Sequence, residues 1–303
     1  MSPLTSGNSG YWKGKNNRMK FTKMQGAGND FVVVKTANTT RDWSKLAIAM
    51  CDRHFGAGAD GLLLLLPSKI ASFKMRIFNA DGSESKVCGN GMRCLVKYYL
   101  DEQPEGKNNS GVTIETQAGV RKARIHRRQG KVTEIQASMG LPRVGHNGTS
   151  AHLVTRNEKL VDITKQMNRA VRIDGQDLLL SLVSVGNPHA IHFTTASIPD
   201  FPLVRIGPKV EQHRLFADET NFEIVRVVNS HEVEARVWER GCGETLACGS
   251  GACAITVAGR LLGCLDSKVD VRLPGGTLTV EWDGEGEVFL SGPAVTVFHG
   301  NWS

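Results

Sequence analysis

The sequence has no long hydrophobic run. An unbroken apolar stretch at residues 62–66 is followed by Pro67 and, like every other apolar run of the sequence, is far shorter than the about 20 apolar residues of a membrane-spanning helix. A short apolar run of this kind predicts a buried strand. Residues 1–18 also lack the apolar centre of a secretory signal peptide and predict a flexible N-terminal extension. We therefore expect a cytoplasmic protein with no membrane partner.

The sequence also lacks any motif of a nucleic-acid-binding module. Its formal net charge is +7, from 37 basic and 30 acidic residues. The basic residues are spread along the chain except for short clusters at 121–124 and 127–128, and no aromatic residues alternate with them. Nucleic-acid-binding surfaces typically concentrate positive charge beside a recognition motif or stacking aromatic residues. We expect the charge to be solvated, and no nucleic-acid partner.

The seven cysteines lack the spacing of a metal site and the arrangement of a disulfide framework. No two of them stand at the C-x2-C spacing of structural zinc sites, so we expect no metal. Their number is odd, and Cys242, Cys248 and Cys253 lie in one short glycine-rich stretch. Such crowding favours free thiols in a reducing compartment. The role of Cys242 is left open, and packing roles are predicted for Cys51, Cys94, Cys253 and Cys264.

Short strands separated by turns alternate with a few helices along the chain. Runs rich in β-branched and aromatic residues, such as 31–34, 75–78 and 233–238, predict strands. Apolar residues three and four apart predict helices at 43–51, 90–100 and 250–262. This pattern predicts the α+β fold class.

The two halves of the chain repeat one another at an offset of 160 residues. The aligned residues are Arg76 with Arg236, Glu84 with Glu244, and 88–91 with 248–251. A polar, glycine-rich stretch at 141–150 predicts the boundary between a domain at 19–142 and one at 143–291. The repeat predicts two pseudo-symmetric domains of similar fold. If they face one another, the active site lies in the cleft between them, where their cysteines meet.

Each repeated cysteine, Cys88 or Cys248, precedes a glycine-rich turn that leads into a predicted helix. The free N–H groups at a helix start stabilise an anion such as a thiolate, and they lower the pKa of a cysteine there. Inversion of a stereocentre needs one group to remove a proton and a second group, on the opposite face, to deliver one. Either motif alone is more typical of a packing cysteine than of a catalytic one. The repeated pair predicts a two-base racemase or epimerase.

Several ordered motifs resemble one known family. These motifs are 21–31, 78–83 running into 88–91, 185–189, and 239–244 running into 247–251. Together they closely resemble the diaminopimelate epimerase family, from residue 19 to the end of the chain. The resemblance implies catalysis without pyridoxal phosphate, metal or any other cofactor. It also implies that the final segment, 292–303, returns to the first domain.

The resemblance assigns roles to residues of this sequence. It implies that Cys88 and Cys248 are the acid and base. It places the substrate-binding residues at Asn29, Asn79, Gly89, Asn90, Asn187, Asn221, Glu239, Arg240, Gly249 and Ser250. His189 is implied to be a supporting residue that orients Glu239. Amide groups both donate and accept hydrogen bonds, and the Arg240 guanidinium suits a carboxylate at the distal end of a substrate.

The expected reaction is the interconversion of LL-2,6-diaminopimelate and meso-diaminopimelate in lysine biosynthesis, on a small-molecule amino-acid substrate. Gly61 stands where some relatives carry a substrate-contacting glutamine. An alternative is therefore a racemase or epimerase of another amino acid with the same two-cysteine mechanism. A second alternative is a non-catalytic binding protein that retains the fold, although such a protein has no need of two symmetry-related thiols. The sequence leaves open a homodimer and which thiol is deprotonated at rest.

Overall fold

The structure is a computed structural model. It describes residues 18–86, 88–103, 111–129, 131–145, 149–150, 164–216 and 219–303. Apart from Arg18, the predicted N-terminal extension lies outside these residues.

The first half of the described chain contains eight strands and two helices. The strands are β1 (Met19–Gly26), β2 (Asn29–Lys35), β3 (Gly61–Leu66), β4 (Phe73–Asn79), β5 (Glu84–Ser85), β6 (Gly111–Thr116), β7 (Gly119–Arg128) and β8 (Lys131–Gly140). The helices are α1 (Trp43–Cys51) and α2 (Gly89–Asp101). The apolar run at 62–66 lies in β3 as predicted, and all five leucines are buried. They alternate between two hydrophobic clusters, since β3 is covered on both faces.

The second half has the same order of elements. After the short strands β9 (Arg143–Val144) and β10 (Thr149–Ser150) come β11 (Asn168–Ile173), β12 (Gln176–Ser184), β13 (Pro188–Phe193), β14 (Asn221–Asn229), β15 (Glu232–Glu239), β16 (Gly243–Thr245), β17 (Lys268–Leu273), β18 (Gly276–Glu281), β19 (Val288–Ser291) and β20 (Val295–Trp302). The helices are α3 (Leu203–Glu211) and α4 (Gly249–Leu261).

The strand pairings confirm the predicted repeat. In the first half, β2 pairs parallel with β3, β3 antiparallel with β4, and β4 parallel with β6. In the second half, β13, β14, β15 and β17 pair in the same directions. The ion pairs repeat as well: Arg76 Nε lies 2.7 Å from Glu84 Oε1, and Arg236 Nε lies 2.7 Å from Glu244 Oε1. The fold is α+β, built from two similar half-structures.

Helices α2 and α4 belong to one hydrophobic cluster that draws on both halves, whereas α1 and α3 lie in separate clusters. Two strand pairings connect the halves. β19 pairs antiparallel with β8, and β20 pairs antiparallel with β1. The central cluster therefore holds the two helices that begin at the repeated cysteines.

Candidate active site

Cys88 and Cys248 are the N-cap residues of α2 and α4. Each has extended backbone geometry, and each sulfur accepts a hydrogen bond from the N–H group three residues later. The Cys88 Sγ lies 3.5 Å from the Gly91 nitrogen, and the Cys248 Sγ lies 3.4 Å from the Gly251 nitrogen. The predicted position of both cysteines at a helix start is confirmed.

The two helix starts lie against each other at the junction of the halves. A Cβ atom added to Gly249 would lie 3.8 Å from the Gly89 Cα and 3.4 Å from the Asn90 Oδ1. Added Cβ atoms at Gly89 and Gly249 would also lie 2.7 and 2.8 Å from the same Leu290 Cδ2 atom. Only glycine permits this approach, which brings the two N-cap thiols to one site.

Asn29 lies beside Cys88 at the end of a tight turn. Ala27 and Gly28 both have positive φ, as in the two-residue hairpin turns that match strand twist. The Asn29 Oδ1 accepts a hydrogen bond from the Asn90 Nδ2 at 3.3 Å and lies 3.9 Å from the Cys88 Sγ. The Asn29 Nδ2 donates to the Asp60 Oδ2 at 2.7 Å, which fixes the amide orientation. The structure thus brings Asn29, Asn90 and Cys88 together, as predicted.

Glu239 faces both thiols from the end of β15. Its Oε1 accepts a 2.5 Å hydrogen bond from the Thr245 hydroxyl, and its carboxyl group also contacts the Cys248 thiol. Burial raises the pKa of Glu239, while these hydrogen bonds act in the opposite direction. The Ser250 Oγ lies 3.5 Å from the Cys248 Sγ. Glu239 and Ser250 therefore lie at the site where the sequence placed them.

The two thiols differ in their electrostatic surroundings. Burial raises the pKa of Cys88, and the N–H of Gly91 and the charge of Arg93 act against this shift. Burial, followed by the charges of Glu239 and Glu223, raises the pKa of Cys248 well above its ordinary value. The helix starts lower both pKa values, as predicted. The prediction of a net lowering is wrong, because burial outweighs the helix starts.

His189 contacts a different carboxylate from the one predicted. Its Nδ1 lies 2.6 Å from the Glu223 Oε1, and its Nε2 lies 3.1 Å from the Asn187 Oδ1. Both ring nitrogens are therefore used, and neither is left to orient Glu239. Because β13 pairs with β14, His189 lies next to Asn221 on the neighbouring strand. His189 supports Asn187 and Glu223 instead.

Asn221 connects the loops that carry three other predicted residues. Its Nδ2 donates to the Pro188 carbonyl at 2.9 Å, and its Oδ1 accepts from the Arg240 backbone nitrogen at 2.9 Å. This buried amide holds the segment after Asn187 against the turn after Glu239. It therefore positions other site residues.

Asn79 and Gly61 pair with each other across β3 and β4. The Asn79 side chain bonds within its own turn, to the hydroxyls of Ser83 at 2.9 Å and Ser85 at 3.3 Å. A Cβ atom on Gly61 would lie 2.8 Å from the Phe78 carbonyl oxygen. A glutamine would not fit at Gly61 of this structure without a backbone shift.

The model of the family described as diaminopimelate epimerase matches residues 21–144 and 181–297. The chain belongs to the diaminopimelate epimerase family. Its relatives of that name include proteins from Acetivibrio thermocellus, 42% identical over 93% of this chain and 98% of the relative, and Desulfovibrio desulfuricans, 45% identical over 94% and 98%. A relative of that name from Methanococcus maripaludis is 41% identical over 93% of this chain and 99% of its own.

Solved structures with lower sequence identity share the fold. A phenazine biosynthesis protein of the PhzF family from Bacillus anthracis has a TM-score of 0.66 and 17% identity over 95% of this chain and 99% of its own. A hydroxyproline epimerase from Agrobacterium vitis has a TM-score of 0.68 and 15% identity over 94% of this chain and 91% of its own. At these identities the likeness concerns the fold alone.

Some residues of this diaminopimelate epimerase family site were not predicted. Arg93, Glu223 and Thr245 lie in the thiol surroundings, and Arg93 and Glu223 are completely buried. Each of those two is a charged residue within an otherwise apolar stretch, 92–96 or 222–225. A charged residue inside an apolar stretch was therefore the sequence signal that could have identified Arg93 and Glu223.

Other predictions concern metals, membranes and packing. No three His, Cys, Asp or Glu residues in the described ranges are grouped so as to hold a metal ion. No helix among the described residues is long and apolar enough to cross a membrane. Cys51, Cys94 and Cys253 are buried as predicted, whereas Cys264 is exposed, so its predicted packing role is wrong. Cys242 is also exposed.

Proposed function

We propose that this protein is a diaminopimelate epimerase, an isomerase that interconverts LL-2,6-diaminopimelate and meso-diaminopimelate in lysine biosynthesis. The observation that carries the proposal is the pair of N-cap thiols, Cys88 and Cys248, on helices that start against each other. Relatives with that name, at 41–45% identity, support the substrate.

In the proposed mechanism, a thiolate removes the α-proton from one face of the substrate carbon and the other thiol delivers a proton to the opposite face. Cys88 and Cys248 fill these two roles. The backbone N–H groups of 89–90 and 249–250 hold the substrate and stabilise the negative charge that develops on its α-carboxylate. Preorganised donors of this kind act most strongly where water is excluded. The same glycines that let the helices meet also let their amides approach the substrate.

The remaining side chains supply recognition. Glu239, beside Cys248, accepts a hydrogen bond from the ammonium group at the reacting centre. Asn29 and Asn187, at the equivalent turns of the two halves, bind substrate through their amides, as does Asn79. Arg240, on the turn after Glu239, binds the distal carboxylate as a planar fork. Asn221 contributes by fixing the position of that turn.

Three further proposals concern the whole chain. Residues 19–142 together with 292–303 form one domain, and 143–291 form the other, which is supported by the pairing of β20 with β1. A cytoplasmic location suits the enzyme, because its thiols act only when reduced. No partner other than the small-molecule substrate is needed for the chemistry, whether the protein is a monomer or a homodimer.

The substrate is tested by incubating the reduced protein with LL-diaminopimelate and separating the stereoisomers by chiral chromatography. We expect meso-diaminopimelate to accumulate until equilibrium, and no turnover of L-proline, trans-4-hydroxy-L-proline or L-glutamate. The Cys88→Ala and Cys248→Ala variants should each lose at least about a thousandfold in rate, because each removes one of the two proton-transfer groups. Turnover of another amino acid alone would overturn the substrate, and activity in both variants would overturn the mechanism.

A further inference from the structure

The two halves differ in charge at two equivalent buried positions. At the offset of 160 residues, Arg93 of α2 corresponds to Cys253 of α4, and Glu223 of β14 corresponds to Leu63 of β3. The strand register agrees, because Leu63 and Glu223 pair with the equivalent residues of β4 and β15. All four positions are completely buried. The first half therefore has an additional buried cation, and the second an additional buried carboxyl group.

Arg93 is a buried cation without a compensating carboxylate in the described part of the chain. Its Nη2 donates to the Asn90 Oδ1 at 2.8 Å. Its Nε and Nη1 atoms have no hydrogen-bond partner among the described residues. Burial lowers the pKa of Arg93, yet a guanidinium keeps its proton in proteins. A buried charge of this kind stabilises any neighbouring group that can become an anion.

The Arg93 guanidinium interacts electrostatically with three thiols, those of Cys94, Cys88 and Cys253. Burial raises the pKa of Cys94 to about 12 and also raises the pKa of Cys253. Both of these cysteines lie inside their helices. Cys88 differs because it accepts the Gly91 N–H at the start of α2. Of the three, Cys88 is the thiol best placed to become the counter-anion of Arg93.

Glu223 lies at the start of α4 and has the opposite effect to Arg93: its carboxyl group disfavours an anion at Cys248. A Cβ atom on Gly251 would lie 2.7 Å from the Glu223 Oε1, whereas a Cβ atom on the equivalent Gly91 would lie 3.0 Å from the Leu63 Cδ2. The carboxyl group of Glu223 therefore lies at the positive, N-terminal end of α4. At the equivalent end of α2 lies the apolar side chain of Leu63. The Glu223 Oε2 has no hydrogen-bond partner in the described ranges, and the Oε1 lies 2.6 Å from the His189 Nδ1. A thiolate at Cys248 gains less from its helix start.

We propose that Arg93 and Glu223 are positioning residues that make the two thiols unequal, so that Cys88 loses its proton more readily than Cys248. This assignment rests on the proposed function for its catalytic meaning. The charged groups that face Cys88 are Arg93 and Glu239. Those that face Cys248 are Glu239 and Glu223, and His189 lies against Glu223. Glu239 raises the pKa of both thiols and contacts Cys248, while Arg93 acts on Cys88 and Glu223 acts on Cys248, so these two residues add to the inequality from opposite sides.

The proton transfers balance. In the form with a Cys88 thiolate and a Cys248 thiol, the thiolate takes the α-proton and becomes a thiol, and the Cys248 thiol gives its proton to the opposite face and becomes a thiolate. No electrons are transferred. Return to the starting form moves one proton from Cys88 to Cys248 through solvent, in the direction that Arg93 and Glu223 favour. The isomer that presents its α-hydrogen to Cys88 therefore reacts with the form that these two residues favour.

The proposal is tested by the pH dependence of alkylation at each cysteine, without substrate. The reduced full-length protein is pulsed with iodoacetamide between pH 5 and pH 11, and peptide mass spectrometry follows Cys88 and Cys248 separately. In the wild type, Cys88 should titrate at lower pH than Cys248. Arg93→Met should move the Cys88 transition up by about one pH unit, and Glu223→Gln should move the Cys248 transition down by about one pH unit.

Two further variants separate charge from packing. Arg93→Lys keeps a cation and should keep the Cys88 transition near its wild-type pH. Arg260→Met removes a cation from the last turn of α4, far from both thiols, and should shift neither transition. Coincident wild-type transitions, or equal shifts of both thiols in Arg93→Met, would overturn the proposal. If Arg93→Met does not fold, the downward shift of the Cys248 transition in Glu223→Gln still tests the proposal. Alkylation needs no substrate, so failure of the proposed function would not alter this result.

Discussion

His189 and Glu223 form a completely buried pair whose equivalents in the first half are apolar. The strand register places His189 at the position of Phe31, since His189 lies opposite Asn221 as Phe31 lies opposite Gly61. Glu223 occupies the position of Leu63. Removal of one member of a buried pair leaves the other uncompensated, whereas apolar replacement of both is often tolerated. The first half of the chain therefore shows that the fold accepts apolar side chains, Phe31 and Leu63, at these two positions.

We predict that His189→Phe lowers the free energy of unfolding by about 3–5 kcal/mol, because it leaves the Glu223 carboxylate buried without its partner. The double variant His189→Phe/Glu223→Leu should recover most of that loss. Urea unfolding of both variants and of Glu223→Leu alone measures the coupling. Additive losses in the double variant would contradict the account.

At the residue scale, the sequence was sufficient to identify the two thiols of the site but not the charged residues around them. Cys88 and Cys248 were recognisable because their surroundings are local: a glycine-rich turn and the helix that follows it. The setting of Arg93 and Glu223 depends on strands distant in sequence that bury them. The same reason explains why His189 was paired with Glu239 in the prediction, although strand register places it against Glu223.

At the scale of elements, the close approach of α2 and α4 depends on glycine at the first position of each helix. A side chain at Gly89 would meet the Leu290 Cδ2 at 2.7 Å and the Met139 Sδ at 2.8 Å. Both neighbours are buried and have little room to move. Their displacement would also move the start of α2, which holds Cys88.

Gly89→Ala should therefore reduce the free energy of unfolding by about 1–3 kcal/mol through overpacking. It should also slow epimerisation by about tenfold or more, because the thiol is displaced. Gly89→Ala/Leu290→Ala should be more stable than the sum of the two single losses, because the space left by Leu290 accepts the new methyl group. Gly111→Ala, whose Cβ would meet only the Ala123 carbonyl oxygen at 3.4 Å among the described residues, is the matched control and should retain both properties. An unchanged rate in Gly89→Ala would be evidence against the required close approach.

Secondary structure followed from sequence where the pattern was local. The helix predicted at 43–51 coincides with α1, and those at 90–100 and 250–262 differ from α2 and α4 by one residue at each end. Helix α3, Leu203–Glu211, was not predicted, and it contains Pro208, which disrupts a simple helical pattern. Only the repeat offset of 160 residues pointed to a helix there, because α1 lies at the equivalent position of the first half.

At the scale of the whole molecule, the two helix starts that lie against each other, and the thiols that they carry, belong to different halves of the chain. Mild oxidation should therefore join Cys88 to Cys248, abolish activity and raise the thermal unfolding temperature, because the bond links distant parts of the chain. Dithiothreitol should restore the activity. Cys242→Ser/Cys264→Ser provides the background for this experiment, because those two thiols are exposed and would react between molecules.

Peptide mapping under non-reducing conditions should show the Cys88–Cys248 bond in that background. A different cysteine pair in the inactive sample, or inactivation that dithiothreitol fails to reverse, would count against close approach of the two thiols. The repeat predicted this arrangement from sequence because both cysteines lie at equivalent positions. It could not predict how tightly the halves pack, which depends on Leu290 and on the strands β8 and β19 that join them.

The central claim, inversion by two separate thiols, is tested most directly by early-time proton NMR of LL-diaminopimelate turned over in deuterium oxide. Two groups that do not share a proton should give meso-diaminopimelate that carries deuterium at the inverted carbon from the first turnovers, while the remaining LL isomer keeps its α-hydrogen. A single group acting on both faces would return the abstracted proton. Meso product that retains the original α-hydrogen in the first turnovers would therefore contradict the account.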